Sequence, residues 1–435
     1  MTSPESDERK TGMLVLALLS VLVGCVTGLV CALFRLALQK GEGLRSEFVA
    51  WSHQQGFVGL LLVVGGISAA AALASALVSR FSPNAAGSGI PEVEAAIHGG
   101  ESGNPVRTAV VKFFGSLLAI GSGLALGREG PSIQMGHAIA DVTGRVFRRS
   151  AVDARVLFAA GAGAGLATAF NAPIAGAVFV LEELLRRFDR HNAAAALGAS
   201  AGAIAVARLF LGSEPDFSVP EQDFPGFAAV PLHLLMGVIA GLVAAVYARA
   251  IMGALAIADR STGLPVTARA ALIGAAVGLL AWFAPGWVGG GDSLTQQTLL
   301  GAGSLSMIGL IFVVRFMLGP LSYAAGTPGG LFAPMLVLGA QIGLVFGRVQ
   351  SQWIAGGGLP TTYAVVGMAA FFAAVVRAPL TGICLAVEMT GSASLLLPML
   401  AACFGAMVVM NRLGIDPIYD QLRMRAERRS ASASP

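Results

Sequence analysis

Nine apolar runs carry no Asp, Glu, Lys or Arg: 11–34, 57–79, 156–181, 224–248, 270–291, 293–314, 316–347, 349–376 and 389–411. A helix needs about 20 residues to cross the hydrocarbon of a bilayer. Every run is long enough for one helix, and some must hold more than one. No segment shows the alternation of a membrane β-barrel. Only 12% of the residues are charged, where a soluble domain carries about a quarter. The chain reads as an all-α, polytopic membrane protein. Run 11–34 is longer than the ~7–15-residue apolar stretch of a secretory leader and shows no small-residue cleavage site. It reads as the first membrane helix.

Against this background, Gly127-Arg128-Glu129-Gly130-Pro131 stands out. Residues 113–127 and 130–140 around it carry no charge. A charge at membrane depth costs several kcal/mol unless it is paired, hydrated or used. Glycine lets the backbone approach a bound ion, and proline suits a helix's first turn. The segment predicts a helix that begins inside the membrane with its free N–H groups aimed at a site.

Two further segments share this design: Gly87-Ser88-Gly89-Ile90-Pro91-Glu92 and Gly329-Gly330-Leu331-Phe332-Ala333-Pro334. Each offers unpaired N–H groups and the positive end of a helix dipole. Converging, such ends make an anion site without a full positive charge, from which the anion can also leave. The hydroxyls of Ser88 and Tyr419 add donors.

The chain repeats itself. Gly127, Pro131 and Gly136 match Gly330, Pro334 and Gly339, and residues 161–176 parallel 367–382. Nine residues after the shared Ala-Pro proline stands Glu182 in one half and Glu388 in the other. These two glutamates read as structural pairs or caps, with Arg377 as a candidate partner. Internal repeats of this kind mark transporters and channels, with sites near the midplane at broken helices. The sequence alone leaves open whether the repeats run parallel or inverted. The chain divides into a cytoplasmic segment 1–11, a first membrane repeat 12–212, a connecting loop 213–230, a second repeat 231–422 and a basic cytoplasmic tail 423–435. With so short a tail, no nucleotide-binding regulatory domain is expected.

Other signals are weak. Arginines cluster at 145–155, 186–190 and 423–429, and the positive-inside rule assigns these to the cytoplasm. A net charge of +4 says little about an anionic partner, and no nucleic-acid partner is expected. The cysteines Cys25, Cys31, Cys384 and Cys403 lie in apolar runs without metal spacing and read as packing residues. The five histidines are scattered. No metal site, no cofactor and no nucleophile–base pair of an enzyme is expected. Gly161-Ala-Gly163-Ala-Gly165 imitates a dinucleotide loop but lies in an apolar helical run.

The set GSGIPE (87–92), GREGP (127–131), GGLFAP (329–334) and the late Tyr419 resembles the CLC family of chloride channels and chloride/proton exchangers, over roughly residues 12–422. The resemblance implies a homodimer of subunits built from two inverted repeats of tilted, broken helices, each subunit with its own anion pathway. It implies chloride ligation by the hydroxyls of Ser88 and Tyr419 and by the backbone N–H groups of Leu331 and Phe332. It makes Glu129 the external gate and Glu183 the internal proton-transfer acid. By spacing alone, Glu183 reads as a surface acid paired with Arg186 or Arg187. Lys112 and Arg128 are expected to shape the potential along the pathway.

The expected function is secondary active exchange of chloride for protons by a multi-pass protein of the bacterial inner membrane. The alternatives are a passive chloride channel of the same fold, or an exchanger for fluoride or nitrate. Ser88 disfavours both other anions by resemblance to the chloride type.

Overall fold

The computed structural model describes residues 4–100, 103–261, 263–354 and 358–433. The first half contains α1 (Pro4–His53), α2 (Gly56–Phe81), α3 (Ile90–Ile97), α4 (Pro105–Gly121), α5 (Glu129–Val146), α6 (Ala151–Phe170), α7 (Pro173–Phe179), a π-helical turn at Val180–Leu184, and α8 (Arg190–Leu211). The second contains α9 (Val230–Arg260), α10 (Val266–Phe283), α11 (Asp292–Leu299), α12 (Leu305–Tyr323), α13 (Phe332–Gln350), α14 (Pro360–Val376), α15 (Pro379–Thr390) and α16 (Leu396–Arg412), followed by α17 (Ile418–Ala433). Among the described residues there is no strand, only two isolated bridges. Eight helices among the described residues are long and apolar enough to cross a membrane, and the chain is a multi-pass integral membrane protein.

Run 156–181 holds α6 and α7, and run 316–347 holds the end of α12 and most of α13. Run 11–34 lies wholly inside α1, which continues past Arg35, Lys40 and Glu42 to His53. The charges there do not end the helix. α1 also takes in residues from Pro4 on, and α17 runs unbroken through the basic tail to Ala433.

The two halves correspond helix for helix, α1–α8 with α9–α16, and their contacts show how they are related. Gly127 N–H donates to Gly330 O at 2.8 Å, and Gly330 N–H donates to Gly127 O at 2.7 Å, in an antiparallel bridge. These are the repeat-equivalent glycines. A residue that pairs reciprocally and antiparallel with its own equivalent lies at a local two-fold axis, so the repeats are inverted.

The glutamates repeat the reciprocity. Glu182 accepts from the N–H groups of Leu380 and Thr381 at 2.9 and 2.7 Å, capping α15. Glu388 accepts from those of Ile174 and Ala175 at 3.0 and 2.8 Å, capping α7. They are caps, as expected, but Arg377 is not their partner. Its guanidinium donates to Asn411 Oδ1 and to Ile415 O.

The repeated glycines also gain a reason. A Cβ on Gly136 would strike the backbone of Gly161, and one on Gly339 would strike that of Gly367. Small residues at these crossings let α5 press on α6 and α13 on α14, the packing that membrane interiors favour. These four helices are buried along most of their length. α1, α2, α9 and α10 show leucine and valine outward. The inner layer therefore presents its helix starts to the centre of the molecule.

Candidate anion site at converging helix starts

α3, α5 and α13 begin beside one another. Gly87 N–H donates to Thr327 O at 3.1 Å, and Gly329 N–H donates to Gly87 O at 2.9 Å. These bonds and the Gly127–Gly330 pair lace the three preceding loops together. Gly130 lies so near Ser88 that a Cβ there would stand 2.5 Å from Ser88 O. None of the three N-cap residues, Gly89, Arg128 and Leu331, offers a side-chain cap. The first-turn N–H groups, which carry the positive end of each dipole, are left to other partners.

Glu129 takes one of them. Its Oε1 accepts from Phe332 N–H at 2.7 Å, while its Oε2 is buried without a partner. The carboxylate thus occupies the start of α13, the helix equivalent to its own. Gly127 and Gly330 make the room, since a Cβ on either would collide with the Glu129 carboxylate.

The Phe332 ring is enclosed by Phe170, Phe179, Phe372 and Tyr419, with centroids 4.6 to 6.4 Å away. Leu331, Phe332, Tyr419, Ser88 and Glu129 are all fully buried. Such a surround strengthens each electrostatic contact inside it. Tyr419 opens α17, and its Oη is buried without a hydrogen-bond partner. Ser88 Oγ accepts from Ile90 N–H at 3.3 Å. Structure thus brings Ser88, Glu129, Leu331, Phe332 and Tyr419 together.

Lys112 and Arg128 lie around this centre with their charged groups engaged. Fully buried Lys112 donates through Nζ to Gly87 O at 2.8 Å and Ala85 O at 3.2 Å, holding the loop that carries Ser88. Arg128 donates to Asp292 at 2.6 Å, to Asp216 at 2.8 Å and to Ala169 O at 2.7 Å. Asp216 also binds Arg35 at 2.8 Å.

Glu183 sits apart, on the π-helical turn, and is buried rather than at the surface. Arg186 is its neighbour, at 3.9 Å, as the spacing suggested. Arg186 also reaches Asp420 at 2.8 Å and Glu94 at 3.5 Å, and Arg423 reaches Glu94 at 2.7 Å and Asp420 at 3.1 Å. This network ties α3, the π-helical turn and α17 into one unit.

Residues 69–411 match the family model described as voltage gated chloride channel. The chain belongs to the voltage gated chloride channel family. The H(+)/Cl(-) exchange transporter ClcA of Vibrio cholerae is 39% identical over 415 residues, covering 94% of this chain and 88% of that protein. ClcA of Cronobacter sakazakii is 38% identical over 432 residues, with 95% and 90% covered. The crystal structure of a slow cyanobacterial Cl-/H+ antiporter matches with a TM-score of 0.90 at 31% identity, over 94% of this chain and 97% of that one. A CLC-type fluoride/proton antiporter shares the fold with a TM-score of 0.79 at 23% identity, over 96% and 98%.

Within this family fold, several neighbours of the site escape sequence reading. Tyr323 Oη accepts from Ser88 N–H at 3.2 Å, although Tyr323 ends α12, far along the chain. Arg315 is the repeat equivalent of Lys112. It is buried and donates to Gly289 O at 2.7 Å and Gly290 O at 2.8 Å, bracing the loop before α11 as Lys112 braces the loop before α3. The N-cap glycines beyond these loops, Gly89 and Gly291, have φ of +81° and +101°, where a side chain would be strained. The common offset of Lys112 and Arg315 was the available signal.

Proposed function

We propose that this family member exchanges chloride for protons across the membrane, with Glu129 as the element that couples the two. The observation that carries this reading is the hydrogen bond from Phe332 N–H to Glu129 Oε1. A helix start suited to an anion is occupied by the protein's own anion. Chloride and the Glu129 carboxylate compete for the same N–H groups. Protonation removes the carboxylate's charge, weakens its hold on the helix start and lets it swing away with a proton. Chloride then binds to the N–H groups of Leu331 and Phe332 and to the hydroxyls of Ser88 and Tyr419.

Glu183, buried at the arginine-rich face, hands protons between that face and Glu129. Lys112 orients the Ser88 loop and adds positive potential, and Arg128 does the same beside Glu129 with its charge partly offset by Asp216 and Asp292. The relatives named as exchangers support antiport over passive conduction. We assign the protein to the bacterial inner membrane as a homodimer with one pathway per subunit.

The test is a paired flux measurement. Proteoliposomes loaded with chloride are diluted into low chloride, and both ions are followed. Exchange predicts proton uptake against its gradient as chloride leaves. Chloride efflux with no uphill proton movement would transfer the protein to the channel reading. Replacing chloride by fluoride or nitrate in the same assay reads its selectivity.

A further inference from the structure

α17 delivers Tyr419 to the site, and the remainder of that helix borders a groove that anion exchange does not use. The groove, of about 640 Å³, lies between the second half of α9, the α16–α17 turn and α17. Arg249, Arg425, Arg428 and Arg429 line it with Asp259 and Asp416, which leaves two net positive charges. Asp259 is engaged by Arg425 at 2.7 and 2.8 Å, and Arg429 is 3.4 Å from it. Among the described residues, Arg249 and Arg428 form no ion pair.

Apart from Gln421, the rest of the wall is apolar, with Met252, Leu413, Ile415 and Met424. Leu413 is 43% exposed, and Val246 and Ile257, on the same helix as Arg249, are 54% and 66% exposed. In a membrane protein such side chains face acyl chains, so the groove opens toward lipid. Its face is the arginine-rich one: Arg186 binds Asp420 on α17, and Arg155 lies against Gly99 at the end of α3. All three arginine clusters therefore share a face, the cytoplasmic one by the positive-inside rule.

We propose that this groove binds the headgroup phosphate of an anionic lipid from the cytoplasmic leaflet. Arg249 and Arg428 hold the phosphate oxygens by charge-assisted hydrogen bonds, and an acyl chain lies along Met252 and Leu413. A soluble phosphate would use the arginines and leave the apolar wall unmatched, which favours the lipid. Arg428 is nine residues beyond Tyr419, about 14 Å along the helix. A lipid gripping α9 and α17 together steadies the placement of Tyr419. This second step rests on the transport reading, whereas binding does not.

Native mass spectrometry of the detergent-solubilised full chain tests binding, with phosphatidylglycerol titrated against phosphatidylcholine. The wild type should retain one phosphatidylglycerol about ten-fold more tightly than R249Q/R428Q, the equivalent of one charged contact. R148Q/R155Q, which removes two arginines at the α5–α6 turn, should match the wild type and controls for surface charge. Equal binding by wild type and R249Q/R428Q overturns the site and leaves the transport reading intact. Displacement of the lipid by millimolar inorganic phosphate overturns the lipid assignment. In liposomes, added phosphatidylglycerol should change chloride flux by about two-fold or more in the wild type and not in R249Q/R428Q. Binding without that difference overturns the link to Tyr419.

Discussion

The Oε1 atom of Glu129 accepts a 2.7 Å hydrogen bond from the backbone N–H of Phe332, the residue that holds Glu129's own place in the second repeat. The two repeats therefore supply different halves of one device. The first contributes an acid and the second an uncapped helix start of the same backbone design. Exchange follows if chloride and that acid take turns at the helix start. The consequences can be tested one residue at a time.

Gly330→Ala places a methyl group on the Glu129 carboxylate and 2.9 Å from Gly130 N. Overpacking of this kind costs about 1–3 kcal/mol. The variant should lose stability and coupling together, because Glu129 can no longer seat. Glu129→Ala in the same chain removes the larger clash and should restore much of the stability. Thermal unfolding of both single variants and the double variant in one detergent reads the interaction. Simple additivity would contradict the fit described for Gly330.

The reciprocal caps predict matched losses. Glu388→Ala leaves two N–H groups at the start of α7 without an acceptor, and Glu182→Ala does the same at α15. Each should cost about 0.5–2 kcal/mol, the usual range for a cap. Glu182 also accepts from Thr381 Oγ1 at 2.8 Å, so its loss should be the larger. A melting temperature lowered more by Glu388→Ala would run against this order.

Asp216 is buried between Arg35 and Arg128, with 7% of its side chain exposed, whereas Asp292 is 45% exposed. Removing one partner of a buried pair costs about 3 kcal/mol, and an exposed pair is worth roughly 1 kcal/mol at most. Asp216→Ala should therefore destabilise the protein well beyond Asp292→Ala. Denaturation of the two variants side by side decides it, and equal effects would contradict a stabilising role for the buried Arg35–Asp216–Arg128 bridge.

Among the described residues, the Glu183 carboxylate is paired with Arg186 and forms no hydrogen bond to Ser88, Leu331, Phe332 or Tyr419, the proposed anion ligands. Glu183→Gln should lower proton flux by about ten-fold or more, the size of effect ascribed to a positioned acid–base group, while passive chloride flux persists. Joint loss of both fluxes, with the fold intact, would make Glu183 structural.

The pH response has a definite sign. Protonated Glu129 is neutral and is no longer drawn to the helix start of α13. As pH falls, more molecules carry the neutral form, so chloride flux through the wild type should rise. Glu129→Gln imitates the neutral form and should transport chloride at a rate that varies little with pH. A falling wild-type rate on acidification would oppose the competition.

Much of this was legible in the sequence where the backbone dictates residue type. Gly127 and Gly330 must be glycine because a carboxylate lies against both, and Gly136 and Gly339 because helices cross there. Such demands repeat with the fold and leave an offset in the chain. Glu182 and Glu388 were legible for the same reason. What was not legible rests on single long-range charges. Nothing near Asp216 or Asp292 in the chain points to Arg128, and nothing near Asn411 points to Arg377. These pairs have no period, and the fold alone brings them together. Tyr323 went unread because its hydroxyl reaches Ser88 from the end of an apolar helix, where a tyrosine reads as packing.

The most direct measurement is the paired chloride and proton flux of Glu129→Ala in proteoliposomes, beside the wild type. The account predicts that chloride still crosses and that uphill proton movement disappears. Proton pumping that survives the loss of Glu129 would contradict it.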